Sequence, residues 1–109
     1  MTTIRNLTSS NGNKVPNQIV IRNESLRIFQ SYESIIVKIE DGRVYLDETY
    51  WNYSKTTGKY RNQFLGESKK ETETKIKSGE YILTDLSDAL TPLTMKQWFE
   101  KKIINKNKN

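Results

Sequence analysis

The residues best suited to chemistry stand in one aromatic and basic block, residues 50–61. Aromatic side chains there are interleaved with cations, a combination that suits nucleic acid because rings stack on bases while cations neutralise phosphates. The cations expected to contact a partner or nucleic acid are Lys55, Lys59 and Arg61. The competing interpretation is structural, with Trp51, Tyr53 and Tyr60 as core anchors and the cations on the wet face of a helix. An intermediate arrangement, with Trp51 buried and the three cations on a usable surface, stays open.

A second set of cations lies near the C-terminus. Residues 95–109 hold five lysines and one glutamate, whereas the other 94 residues hold 13 basic and 12 acidic groups. The net charge of +5 therefore belongs mainly to this segment. Its apolar stripe predicts a helix over about 95–104, formed by Met95, Trp98, Phe99 and Ile103. The candidate contacts on this helix are Lys96, Lys101 and Lys102; the alternative is a solvated face.

Residue types that are missing exclude several activities. The chain has no Cys and no His, which excludes disulfides, zinc sites built from Cys and His, and catalysis by imidazole or thiolate. It has no phosphate-binding glycine loop and no calcium-loop spacing. A Glu-x-Lys pattern, half of a metal-dependent nuclease site, occurs at residues 67–69 and 73–75, with Asp47 as a possible upstream acid. This pattern is common by chance in so charged a chain, so we expect no catalytic residue, metal or cofactor.

The clearest structural signal is a β-hairpin centred on Asp41 and Gly42. Asp-Gly favours a type I′ turn, which requires a positive φ at both central residues. That turn predicts strands over 34–40 and 43–48 and pairs Glu40 with Arg43, Ile39 with Val44, Lys38 with Tyr45, and Val37 with Leu46. The register sorts the side chains by polarity, which supports it. One predicted face carries Ile35, Val37, Ile39, Val44 and Leu46.

Other elements follow from local patterns. Residues 18–22, 26–32 and 80–85 read as strands, and residues 8–14 as a turn or loop. Helices are predicted over about 57–65, ended by Gly66, and from the capping box at 68–71 to a stop at Gly79. Residues expected to shape the entry and inner face of the first helix are Trp51, Tyr53, Ser54, Thr57, Tyr60 and Phe64.

The order of these elements predicts an α+β domain. Four strands, two helices, a strand and a helix do not alternate as βαβ units, so we expect a mainly antiparallel sheet of about four to five strands. Two to three helices should pack on one side of it. A single domain is expected over residues 1–104, with a disordered basic tail over 105–109. No apolar run suggests a signal peptide or membrane span, which favours a cytoplasmic protein.

Part of the chain resembles a known group of proteins. The shared residues are 31–36, 76–81 and the pattern W-x-Y-S-x-T-T-x-x-Y-x-x-x-F-L over 51–65. With these residues the chain resembles a family of small proteins encoded by phages, plasmids and integrated elements of Gram-positive bacteria. The abundance of Asn, Lys and Ile agrees with an AT-rich genome. The resemblance implies a mobile-element context and no particular reaction.

Two functional hypotheses follow. The first is a non-enzymatic accessory protein that binds and inhibits a host protein or ribonucleoprotein complex, such as a defence system in the manner of anti-CRISPR proteins. The chain has no massed carboxylates, so such inhibition would not depend on imitating DNA. The alternative is a small nucleic-acid-binding module that uses the basic helix surfaces. It predicts binding that weakens steeply as salt rises.

Overall fold

The computed structural model describes residues 2–87. They form one six-stranded sheet in the order in which the strands follow along the chain. The strands are β1 (Thr3–Thr8), β2 (Lys14–Arg22), β3 (Leu26–Ser31), β4 (Ser34–Glu40), β5 (Arg43–Asp47) and β6 (Tyr81–Thr84). Two helices, α1 (Lys55–Leu65) and α2 (Lys69–Ser78), connect β5 to β6. The expected α+β class is confirmed.

The sheet is mixed. The first four strand pairs are antiparallel, whereas β5 and β6 are parallel. A parallel pair cannot be joined by a tight turn, and the two helices supply the long crossover that it needs. The strand count of four to five was too low, because β1 was not predicted. Its sequence, TIRNLT, offers only Ile4 and Leu7 as large apolar residues, and within residues 2–87 β1 pairs with β2 alone.

The central hairpin forms as predicted. Asp41 and Gly42 have φ values of 52° and 81°, as a type I′ turn requires. The four predicted cross-strand pairs from Val37–Leu46 to Glu40–Arg43 are all present. One prediction is wrong: Ile35 does not lie with Val37. A bulge shifts the β3–β4 register after Phe29, so that Ile36 joins the core on the helix side and Ile35 turns to the opposite face.

The helix boundaries follow the predicted caps. Ser54 accepts a hydrogen bond from the Thr57 backbone N–H at the start of α1, and Gly66 ends that helix in the left-handed conformation. At the start of α2, Ser68 and Glu71 form both hydrogen bonds of a capping box, and Gly79 ends the helix. The predictions of Gly66, the capping box and Gly79 are confirmed, because each depends only on residues within one turn, whereas α1 begins at Lys55, two residues before the predicted start at about 57.

The core lies between the sheet and the two helices. Phe29 and Phe64 stack at its centre with their ring centroids 5.7 Å apart. Residues from both helices and every strand from β1 to β6 contribute to this cluster. A second buried cluster on the opposite face of the sheet contains Ile21, Ile28 and Ile35, and among residues 2–87 no helix residue joins it.

The predictions for the C-terminal segment lie outside the described residues. They concern the helix over 95–104, the contacts Lys96, Lys101 and Lys102, and the tail over 105–109. Within residues 2–87, neither helix has the length and apolar character that crossing a membrane requires.

Candidate functional site

Tyr32 occupies an unusual position in the turn that joins β3 to β4. Its φ is 56°, in the left-handed region that bulky residues rarely adopt. The residue is nevertheless 59% exposed to solvent. Two hydrogen bonds hold this conformation: its N–H donates to the Asn17 carbonyl at 2.7 Å, and its carbonyl accepts from Gln30 Nε2 at 2.8 Å. The surrounding structure therefore holds the backbone of Tyr32 in a strained conformation while its aromatic side chain stays exposed.

Two further exposed tyrosines follow β5. Tyr50 and Tyr53 are 38% and 70% exposed, and their rings meet edge to face with centroids 5.4 Å apart. Asp47 shapes this segment. Its buried carboxylate accepts hydrogen bonds from the backbone N–H groups of Thr49 at 3.0 Å and Tyr50 at 2.8 Å through Oδ2, and from Leu86 at 2.7 Å through Oδ1. Asp47 thus ties the end of β5 both to the tyrosine turn and to the chain after β6.

The three tyrosines line one concave surface, which we call the tyrosine cleft. It has a volume of about 280 Å³, and its other lining residues are Ser31, Glu33, Ser34, Ile36 and Thr57. The hydroxyl groups of Ser31 and Thr57 lie 3.3 Å apart within it and link β3 to α1. A neighbouring hollow of about 260 Å³ shares Glu33, Ser34 and Tyr50 with the cleft and adds Asp47 and Asp85.

Arg61 lies inside the protein, and this corrects its expected role as a surface contact. It is only 1% exposed. Its Nη1 donates to the Trp51 carbonyl at 2.6 Å, its Nη2 donates to Asn62 Oδ1 at 2.9 Å, and its guanidinium lies 5.2 Å from the centre of the Trp51 ring. Burial lowers the pKa of Arg61, although Glu67 and Glu73 act in the opposite direction. Arg61 therefore positions the segment that carries the tyrosines.

The spacing of α1 contains the signal for this burial. Thr57, Tyr60, Arg61 and Phe64 follow the i, i+3, i+4, i+7 pattern of one helix face, and all four are buried. The prediction gave weight to the charge of Arg61 and overlooked its position in the period. Of the aromatic residues in the block, Tyr60 is a core anchor, Trp51 is half-buried, and Tyr53 projects into solvent.

The two other cations of the block are exposed. Lys55 is the first residue of α1, directly after the Ser54 cap and next but one to Tyr53. Lys59 lies one turn further along, with its Nζ 5.4 Å from the centre of the Tyr60 ring. Both remain candidate contacts, although neither lines the tyrosine cleft.

The carboxylate of the first Glu-x-Lys pattern, Glu67, has structural partners. The Glu67 carboxylate accepts hydrogen bonds from Lys75 Nζ at 2.7 Å, Thr72 Oγ1 at 2.6 Å and the Tyr81 hydroxyl at 2.9 Å. Burial acts to raise the pKa of Glu67, but these three hydrogen bonds outweigh it and lower the pKa. This cluster connects α2 to β6.

Metal ligation has no support from these residues. Asp47 already accepts three backbone hydrogen bonds. In the part of the chain that the structure describes, no group of three or more acidic side chains is placed to hold a metal ion. The structure thus gives Asp47, Glu67 and Lys75 roles in the fold.

Comparison with known proteins identifies a family. The model of a family of unknown function, DUF8033, matches residues 2–80, which is most of the chain, and the chain belongs to that family. Neither the curated proteins nor the solved structures contain a significant match. The matched region includes the tyrosine cleft with Tyr32, Tyr50 and Tyr53.

Proposed function

We propose that this member of DUF8033 is a non-enzymatic accessory protein of a phage or mobile element that binds a protein of its bacterial host through the tyrosine cleft and inhibits it. The protein acts in the host cytoplasm, and components of defence systems are the targets that this context favours. The observation that carries the proposal is the grouping of three exposed tyrosines around one cleft, one of them held at a strained backbone position.

Tyrosine clusters suit protein recognition. A tyrosine offers a large amphipathic contact area and loses little conformational entropy on binding, because it has only two side-chain torsions. Tyr is accordingly enriched at interfaces and among the residues whose loss costs the most affinity. Single exposed apolar residues are common on any protein, but Tyr32, Tyr50 and Tyr53 share one surface.

The cleft is preorganised for a partner. The Tyr50 and Tyr53 rings support each other, Asp47 fixes the turn beneath them, and two hydrogen bonds hold Tyr32. A backbone held in place at these positions reduces the conformational entropy that is lost on binding. A volume of about 280 Å³ accommodates an apolar side chain inserted by the partner.

The charges around the cleft favour protein over nucleic acid at this surface. Glu33 lines both the cleft and the neighbouring hollow, and Asp85 lines the hollow. Carboxylates there repel phosphates. Lys55, which is exposed and two residues after Tyr53 in the chain, is the cation nearest in sequence to the cleft residues, and polar and charged groups are common at the rim of a protein interface.

The test is site-specific capture from a lysate of a Gram-positive host. A photo-crosslinking amino acid placed at Tyr53 should capture a host protein, and the same group placed at Lys70 on the exposed side of α2 should not. Nuclease treatment should not reduce the capture. Tyr32→Ala and Tyr50→Ala should each weaken it at least tenfold, since such anchors contribute about 2 kcal/mol or more.

A matched control distinguishes the cleft from general apolar exposure. Leu83 on β6 is 39% exposed, close to the value for Tyr50, but does not line the cleft. Leu83→Ala should retain capture and retain inhibition of the recovered protein's activity. If capture of the host protein falls equally in the Leu83 and Tyr50 variants, or if it disappears after nuclease treatment, the cleft is excluded as a protein-binding site.

A further inference from the structure

Three arginines form a row across the first three strands, which we call the arginine row: Arg5, Arg22 and Arg27. In the β2–β3 register Arg22 lies directly opposite Arg27. Arg5 on β1 pairs with Val20, two residues from Arg22 on the same face of β2. Neighbouring strands lie about 4.8 Å apart, so the three side chains start from a patch of sheet about 10 Å wide. The row contains three of the five arginines in the chain.

The row lies on the helix side of the sheet, at its edge. The guanidinium of Arg27 lies 4.8 Å from the centre of the Phe64 ring in α1, which fixes the face to which all three side chains belong. Arg27 is half-buried by this contact, whereas Arg5 and Arg22 are exposed. One arginine is thus anchored on the core, and two extend into solvent beside it.

No carboxylate neutralises the row within residues 2–87. The ion pairs found there are Lys38–Glu40 and Lys75–Glu67, and the three arginines donate no side-chain hydrogen bond to a described residue. Arg27 Nε is buried and has no hydrogen-bond acceptor among the described residues. Burial lowers the pKa of Arg27, and the charges of Arg22 and Arg5 lower it further. Like charges directly opposite each other destabilise a sheet, so the fold maintains this row against repulsion.

A hollow of about 400 Å³ adjoins the row and is lined by Arg22, Arg27 and the β2–β3 turn. Glu24 and Asp41 also line it, and neither forms an ion pair with the row. Because acidic and basic side chains both line the hollow, its charge is mixed. The positively charged surface is the arginine row and not the hollow. Two of the three arginines of the row, Arg5 and Arg22, are exposed, and an exposed row suits a polymer passing over it better than a small ligand enclosed on all sides.

We propose that the arginine row binds the phosphate backbone of a nucleic acid. Guanidinium groups donate two parallel hydrogen bonds to a phosphate, and arginine is the residue best suited to this geometry. The contacts involve the backbone, so binding is largely independent of sequence. A bound strand supplies the negative charge that the row lacks within the described residues. This site differs from the basic surfaces of α1 and of residues 95–109, and it does not depend on the tyrosine cleft.

The test measures binding of the full chain to a labelled single-stranded DNA of about 20 nucleotides by fluorescence anisotropy across a salt series. The variant is Arg5→Gln with Arg22→Gln, which leaves the packed Arg27 in place. The matched control is Lys69→Gln with Lys70→Gln, which removes the same charge from the exposed start of α2. Residues 95–109 are identical in all three proteins, so their lysines contribute equally.

The proposal predicts a change in both affinity and salt dependence. Each phosphate contact to a single strand contributes about 0.7 to the slope of log affinity against log salt, so losing two should reduce the slope by about 1.4 and weaken binding at about 50 mM salt by at least tenfold. The control should stay within about twofold of the wild type. Equal losses in the two variants, or no loss in the row variant, would overturn the proposal.

Two further measurements complete the test. The row variant should unfold at the same temperature as the wild type or above it, because repulsion within the row is removed; this shows that lost binding is not lost folding. Inorganic phosphate should displace the DNA no more than chloride at equal ionic strength. Displacement by phosphate well beyond that of chloride would identify a site for a small anion and would overturn the assignment to a nucleic-acid backbone.

Discussion

Replacing Tyr32 by glycine should stabilise the fold relative to replacing it by alanine. Tyr32 has a φ of 56°, and an L-residue in the left-handed region costs roughly 1–2 kcal/mol, from which glycine is exempt. Glycine also loses more backbone entropy on folding than alanine does, and this costs about 0.5–1 kcal/mol of stability, which offsets part of the benefit. The net expectation is that Tyr32→Gly is more stable than Tyr32→Ala by about 0.5–1 kcal/mol. Both substitutions remove the same ring, so the loss of its contacts cancels in the comparison.

Urea unfolding followed by tryptophan fluorescence measures this difference, with the slope against urea confirming that both variants expose the same surface on unfolding. The corresponding difference in Tm is roughly 2–6 °C for a domain of this size. Partner capture should be lost equally in the two variants, because both lack the ring. The two variants would then differ in stability but not in partner capture. This is the result expected where a strained backbone conformation is kept because it presents a functional side chain.

The opposite order of stabilities would refute this reasoning. If Tyr32→Ala equals or exceeds Tyr32→Gly in stability, the turn does not hold position 32 in a left-handed conformation, and the argument for a preorganised cleft fails with it. A useful control is Gly42, whose φ is 81° in the hairpin turn. Gly42→Ala imposes the same kind of strain at a site outside the cleft and should destabilise by about 1 kcal/mol without affecting partner capture.

Three other residues give direct tests. Arg61→Ala should lower the free energy of unfolding, measured in urea, by about 2–4 kcal/mol, because it leaves the Trp51 carbonyl unpaired and opens a cavity. Arg61→Lys should restore only part of this stability, because lysine lacks the planar guanidinium group. Asp47→Ala should cost about 2–4 kcal/mol by the same measurement, because three backbone N–H groups lose their acceptor, and it should also weaken partner capture through Tyr50. Glu67 has a lowered pKa, so it stabilises the fold above its unfolded pKa of about 4.3 and loses this effect as the pH falls below that value. The Tm of the wild type should therefore fall more steeply between about pH 5 and 3 than that of Glu67→Gln, and parallel curves would contradict the role of this carboxylate.

The features predicted from the sequence are those that neighbouring residues determine. The Asp41–Gly42 turn set the hairpin register because the turn type requires two positive φ values and leaves one alignment. Ser54, Gly66, the capping box and Gly79 marked the helix ends because a cap satisfies backbone groups within its own turn. In each case the physical cause lies within a few residues of the feature.

The features that were missed depend on distant contacts. The bulge that moves Ile35 to the opposite face arises from pairing β4 with β3, and the hairpin alone does not reveal it. The start of β2 at Lys14 was missed because residues 8–14 carry turn chemistry, and the pairing of β2 with β3 begins only at Gln18. The place of Arg5 beside Arg22 in the arginine row was missed because β1, which carries Arg5, was not predicted.

The candidate site shows the same division. The aromatic block pointed to Tyr53 and Lys55, which the structure exposes, and to Arg61, which it buries. Tyr32 carried no local signal, since the turn between β3 and β4 contains neither Gly nor Asn, the residues that usually announce a positive φ. The hydrogen bond from Tyr32 to Asn17, a residue 15 positions earlier, shows why one segment could not reveal it.

The two proposed surfaces lie at opposite ends of one strand. Arg27 stands at the start of β3 and Tyr32 follows its end, so at about 3.3 Å per residue some 16 Å of rigid strand separates the row from the cleft. At that separation the effects of substitutions at the two surfaces on the free energy of unfolding should add, because the residues of the row and those of the cleft are not in contact. The distance leaves room for a protein at the cleft and a nucleic acid at the row to be bound at the same time, so removing the nucleic acid should leave the protein contact in place.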